Sequence, residues 1–98
     1  TGISVQNLNR AIALSLGYDG TDGVAVVNVQ PGSPGDKAGL RIGDIIKKMG
    51  NRRIESHKDI EGFFLDYFVG DIVKITALRK GKQISVNLTL TEYTGRQN

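Results

Sequence analysis

The sequence predicts an α+β domain, a small mixed sheet or partly open β-barrel covered by two helices. Three observations carry that reading. Two runs near the C-terminus alternate apolar and polar residues with period two, and a central stretch repeats with helical period. Thirteen glycines against two prolines cut the 98 residues into short elements. The implied order is strand, helix, strand, short helix, strand, helix, strand, strand.

Ile3-Ser4-Val5 alternates and begins the first strand. Asn9 is placed to cap a short helix over 10–16, with Gly17 as its stop. Val24–Val29 is β-branched and nearly all apolar, the pattern of an interior strand. In Ser33-Pro34-Gly35-Asp36-Lys37-Ala38, Pro34 takes the first position of a single-turn helix that Gly39 closes. Residues 44–49 form a strand that runs into a turn at Gly50-Asn51. From Ser56 onward, Ile60, Phe63, Phe64, Tyr67 and Phe68 fall on one helical stripe. Ser56 is the cap, and Asp59 gives a weak capping box. Gly62 costs that helix about 1 kcal/mol of propensity, so the helix leans on packing. Val73, Ile75 and Ala77, then Ile84, Val86, Leu88 and Leu90, mark the inward faces of two strands joined by a hairpin turn over 79–83.

Composition excludes several classes. Hydrophobic residues at 39% and charged residues at 23% fit a globular chain. The absence of cysteine excludes a disulfide framework, a CxxC redox site and thiolate metal ligands. Val24-Ala25-Val26-Val27 is the longest aliphatic run, far below the roughly 20 residues of a membrane span, so no direct membrane insertion is expected. The opening residues carry no basic-then-apolar leader and read as mid-strand, which marks the chain as a piece of something larger. The net charge of +3 is mild. Its basic residues sit in small groups, Lys47-Lys48, Arg52-Arg53 and Arg79-Lys80 with Lys82, with no aromatic platform between them. They read as solvated side chains at strand ends and turns, and nucleic acid is not an expected partner.

The residues offer little for catalysis. His57 is the one histidine, and no serine lies in a Gly-x-Ser-x-Gly elbow, so a Ser-His-Asp triad within the chain is not expected. His57 reads as a solvent-facing first-turn residue or, alternatively, as a ligand contact. Asp19-Gly20-Thr21-Asp22-Gly23 lacks the spacing and bidentate glutamate of a calcium loop and reads as a glycine-rich connection. No cofactor and no metal are expected. The chain reads as a binder.

One segment is specific: Pro31-Gly32-Ser33-Pro34-Gly35-Asp36-Lys37-Ala38-Gly39-Leu40-Arg41-Ile42-Gly43-Asp44-Ile45-Ile46. It resembles the PGSPAxxAGLxxGDxI stretch of bacterial PDZ domains, with Ala38 and Leu40 plugging the core and Gly43-Asp44 turning into the next strand. The resemblance covers residues 2–91. The N-terminal part, Gly2-Ile3-Ser4-Val5, then Leu8-Asn9 to Leu16-Gly17-Tyr18, then Gly23-Val24, resembles the first PDZ domain of HtrA/Deg-type serine proteases. Related domains occur in site-2 proteases, tail-specific proteases and type II secretion components.

The resemblance implies a PDZ domain over 1–91 in the bacterial, permuted strand order and a polar linker or tail over 92–98. It implies capture of peptide C-termini or extended unfolded segments by strand addition. It also implies a parent trypsin-like serine endopeptidase, whose protease domain is a partner, in the periplasm or another extracytoplasmic space. Carried over by position, Gly2, Ile3 and Ser4 bind the peptide carboxylate, and Val5, His57, Ile60, Glu61 and Phe64 line the groove. Phe63 and Phe68 read as core, whereas Phe64 reads as core, as pocket wall or as both, and a bulky aromatic in the wall favours small or medium terminal side chains. Thr1 stands where the family usually has an apolar residue before the loop glycine. The alternatives are an adaptor of a membrane or secretion complex that uses the same groove, and a structural spacer whose groove is filled.

Overall fold

The computed structural model describes residues 2–18, 20–63 and 70–89, with the backbone alone for residues 61–63. The chain runs β1 (Ile3–Asn7), α1 (Arg10–Ser15), β2 (Val24–Val29), α2 (Pro34–Ala38), β3 (Ile45–Met49), β4 (Arg52–Arg53), α3 (His57–Phe63), β5 (Ile72–Arg79) and β6 (Lys82–Thr89). One open six-stranded sheet results, in the order β1-β2-β3-β5-β6, with β4 paired to β3. Every strand pair among the described residues is antiparallel, so the sheet expected to be mixed needs no parallel crossover. The expected α+β class and element order hold, with β4 added.

Local chemistry sets the helix ends. The Asn9 side chain accepts from the Ile12 N–H at 2.8 Å and caps α1. Ser33 Oγ accepts from the Asp36 N–H at 3.2 Å, Pro34 occupies the first turn of α2, and Gly39 closes it in the left-handed region. At α3 the box is half of the expected one: Asp59 reaches back to the N–H groups of Glu55 and Ser56 at 2.8 and 3.2 Å. Those two bonds hold its carboxyl below the ordinary aspartate value.

Val24, Val26, Leu40, Ile46, Met49, Ile54, Val73, Ile75 and Leu88 form one buried cluster, with Ile3, Val5, Val29, Ala38, Ile60 and Val86 packed against it half-buried. Each fully buried aliphatic side chain contributes about 1.5–3 kcal/mol. Leu40, directly after α2, is in that cluster as expected, and α2 packs against β6.

Two polar features depart from the sequence reading. Arg79 is not a solvated turn residue: its guanidinium donates to both carboxylate oxygens of Asp44, at 2.8 and 2.7 Å, and to the Gly39 carbonyl at 2.7 Å. The expected five-residue turn over 79–83 contracts to Lys80-Gly81, because Arg79 pairs with Lys82. Both turn residues take positive φ, 53° and 81°, as a two-residue turn that matches strand twist requires.

Lys47 is the second departure. The β3–β5 register shifts between Ile46 and Lys48, and such a bulge re-aims a side chain. The Lys47 ammonium donates to the Asp22 carboxylate and to the Tyr18 hydroxyl, and Tyr18 Oη donates to Asp22 at 2.5 Å. The glycine-rich connection is thereby pinned to β3. Burial pulls the Lys47 ammonium down, but its bonds to Asp22 and Tyr18 outweigh that and leave it above the ordinary lysine value. The bond from Lys47, then that from Tyr18, hold the Asp22 carboxyl at about 2, below its ordinary 3.8. A carboxyl lowered on folding stabilises fully above its unfolded value, and that contribution is lost as pH falls through the folded one. The side chain is 36% exposed, so solvent limits the contribution to about 1 kcal/mol or less. Asp22→Asn is therefore expected to lower the urea midpoint at pH 6, with the gap to the parent chain closing between pH 4 and pH 2. A gap that stays constant over that range would refute the assignment.

Candidate functional site at the edge of the sheet

β1 lies at one end of the strand order, and no strand pairs with its outer side among the described residues. Along it Ile3 and Val5 are half-buried against the core while Ser4 and Gln6 are exposed. Alternation therefore gives the strand one apolar face and one wet face. α3 packs beside β1 and β4, and Ile60 of α3 meets the same core cluster as Ile3 and Val5. An edge strand and a helix thus stand side by side over a shared apolar floor.

The entrance to that strand is set by Gly2. Its φ is +77°, and its carbonyl accepts from the Gln30 N–H at 2.7 Å. No described peptide bond is cis. In a trans peptide the C=O and the following N–H point in opposite directions. With the Gly2 carbonyl turned toward Gln30, the Ile3 N–H is turned away from β2, to the open edge. A β-carbon on Gly2 would stand 2.1 Å from Ser33 Cβ, so glycine is required there for space as well as for φ.

The far end of β1 is tied to the helix. Asn7 Oδ1 accepts from the His57 N–H, the first residue of α3, at 2.8 Å across 50 positions of sequence. Sequence reasoning passed over Asn7, because an asparagine closing a short strand carries no local signal of a partner so far along the chain.

The structure thus brings Gly2, Ile3, Ser4 and Val5 onto one edge, with His57 and Ile60 on the neighbouring helix. Glu61 is on α3 by its backbone, and Phe64 lies outside the described residues, as do Tyr67, Phe68 and Leu90. Among the described residues no three His, Asp or Glu side chains group as metal ligands would. Hollows of about 370–390 Å³ lie elsewhere, under α1 and the 41–44 turn, behind α2, and over β3 and β5.

An open edge strand beside a helix, entered through a glycine at positive φ, marks an open-edged α+β domain. A sequence profile of the PDZ domain matches residues 1–90, and the chain belongs to the PDZ domain family. It is 36% identical over 90 residues to a probable periplasmic serine endoprotease, DegP-like, of Rickettsia prowazekii, covering 92% of this chain and 18% of that protein. It is 44% identical over 73 residues to the serine protease Do-like HtrB of Bacillus subtilis, covering 74% of this chain and 16% of that protein. The chain therefore spans about a fifth of the length of the curated relatives it matches. Among solved structures, the HtrA-type protease AlgW with a decapeptide superimposes with TM-score 0.85 at 23% identity, over 97% of this chain and 29% of that one. The HtrA3 PDZ domain bound to a phage-derived ligand superimposes with TM-score 0.76 at 19% identity, over 90% of this chain and 80% of that one.

Proposed function

We propose that this PDZ domain captures the free C-terminus of an extended peptide, or an unfolded segment, as an added strand on β1, within a larger HtrA-like serine protease outside the cytoplasm. The observation that carries the reading is the Ile3 N–H aimed at an edge beside α3 that no described strand pairs. Such a donor makes a charge-assisted bond to a terminal carboxylate. Gly2, Ile3 and Ser4 hold the carboxylate, and Val5 continues the ladder. Ile3, Val5 and Ile60 take the last side chain, with Phe64 as the further wall. His57 and Glu61 face residues upstream. The domain spans 1–91, and 92–98 is a polar linker or tail. The relatives named as periplasmic serine endoproteases support the parent enzyme and its compartment. No helix among the described residues is long and apolar enough to cross a membrane.

Burying a leucine-sized side chain gives about 1.5–3 kcal/mol, and each charge-assisted bond about as much again. Lost motional freedom cancels part of that. The expected affinity is micromolar, about −8 kcal/mol or weaker. The test is titration of the chain with apolar-ended peptides while backbone amide shifts are followed. Shifts centred on Ile3 and Val5, with affinity falling about tenfold on amidation of the C-terminus, support the reading. Unchanged Ile3 and Val5 amides at millimolar peptide overturn it.

A further inference from the structure

We propose that β6 is a self-association edge, on which a second copy of this chain pairs antiparallel about a two-fold axis at Val86. β6 lies at the opposite end of the strand order from β1, so the inference does not depend on peptide capture.

Natural proteins keep sheet edges from pairing with other chains by making them short, bulged or charged, or by placing proline there. The other edges of this sheet follow that rule. β4 is two residues long, both arginine, and β1 has five residues with a register shift between Ser4 and Val5. β6 does not. It runs eight residues in unbroken register with β5, and from Gln83 to Thr89 it carries no charge, proline or glycine. Its phase follows from the hairpin. The closing pair of a two-residue turn, here Arg79 and Lys82, exchanges hydrogen bonds, and bonded and non-bonded pairs alternate from there. Gln83, Ser85, Asn87 and Thr89 therefore turn their N–H and C=O groups away from β5. Lys74, opposite Asn87, fits that phase: its carbonyl accepts from the Gly50 N–H, just beyond β3, at 2.7 Å. Among the described residues none of those outward groups has a backbone partner.

A second copy is the occupant these residues fit. Pairing about Val86 sets Ser85 opposite Asn87 of the copy and Gln83 opposite its Thr89, and the outward groups then exchange up to about eight backbone bonds. No like charges meet, because Lys82, the one charged residue of the strand, falls beyond Thr89 of the copy. On the inner face Val86 meets its own counterpart and Ile84 meets Leu88. Ile84 and Val86 are only half-buried in the single chain whereas Leu88 is fully buried, so the pairing covers apolar surface that the fold leaves open. A contact made by one strand edge is narrow, below the roughly 1,200 Å² of a stable complex. The expected dissociation constant is accordingly weak, on the order of 100 µM.

The test is sedimentation equilibrium of the chain from about 20 µM to about 1 mM, joined to amide hydrogen exchange at the two ends of that range. A monomer–dimer equilibrium is expected, with the Ser85 and Asn87 amides slowing about threefold or more at the higher concentration while Val86, already bonded to β5, changes little. Two double variants at exposed positions read the register, with thermal melts at low concentration to verify folding. Ser85→Lys with Asn87→Lys places lysine opposite lysine twice and is expected to weaken association at least tenfold. Ser85→Lys with Asn87→Glu places lysine opposite glutamate twice and is expected to restore the parent's association or exceed it. Any register other than the one centred on Val86 would bring like charges together or leave these pairs unmade. A chain that stays monomeric at about 1 mM overturns the proposal. So does a two-lysine variant that associates as the parent does, or slowing confined to the β1 amides instead of β6.

Discussion

Arg79→Met is expected to destabilise the domain by about 3 kcal/mol or more, the low end of the 3–5 kcal/mol typical when one partner of a buried ion pair is removed. Asp44 is 1% exposed. Its carboxylate accepts two bonds from the Arg79 guanidinium and one from the Arg41 N–H at 2.9 Å. Without the guanidinium a charge remains in a dry site with one donor. Arg79 itself is 32% exposed, which sets the estimate at the low end. The loss also frees the Gly39 carbonyl at the end of α2, so one substitution loosens α2, the 41–44 turn and the end of β5 together. Urea unfolding measures it directly, and a thermal midpoint lower by at least about 10 °C should accompany it. Arg79→Lys should recover little, since an ammonium on a flexible stem does not reproduce a planar fork that grips both carboxylate oxygens and a carbonyl. Adding Asp44→Asn to Arg79→Met should recover part of the loss, because the stranded charge is then gone. A loss below 1 kcal/mol for Arg79→Met would show the pair to be dispensable.

What the sequence disclosed and what it hid divide by range. Asn9, Ser33, Pro34 and Gly39 act on residues within four positions of themselves, so their spacing alone announces the caps. The inward faces of β5 and β6 are equally local: Val73, Ile75 and Ala77 are buried at every second position, and Leu88 continues the pattern on the next strand. Arg79 was read as one of a group of solvated bases because nothing near it is acidic; its partner is 35 residues earlier. Asn7 and His57, 50 residues apart, are the same case. Lys47 sat at a plausible polar position of a strand, and only a bulge, which has no sequence period, turns it toward Asp22. β4 is two residues long, too short for alternation to register. The site was legible to the extent that a motif carried it: Gly2-Ile3 was expected at the head of a groove. The direction of the Ile3 N–H there depends on the Gly2 carbonyl's bond to Gln30, which no local pattern identifies.

Gly2→Ala is expected to lower affinity for apolar-ended peptides more than tenfold. The added methyl would stand 2.1 Å from Ser33 Cβ and 2.5 Å from Ser33 Oγ. Ser33 is held in place by its own work, since Oγ caps α2 through the Asp36 N–H. Alanine at φ +77° also costs about 1–2 kcal/mol in the left-handed region. Two relaxations are open. Gly2 can swing to negative φ, which gives up the Gln30 bond and turns the Ile3 N–H off the edge, or Ser33 can retreat and uncap α2, at about 1 kcal/mol. The first removes the donor that meets the carboxylate, and the second displaces the loop that supports it. Gly32→Ala is the control. Gly32 has a similar φ of +79° with nothing within 4 Å of an added methyl, so it carries the backbone strain without the collision and lies off the groove. Gly2→Ala should lose more stability than Gly32→Ala by urea unfolding, by about the 1 kcal/mol of the disturbed cap, while calorimetry finds the affinity loss in Gly2→Ala alone. Equal affinities for the two would mean that the entrance is not where the peptide's carboxylate is held.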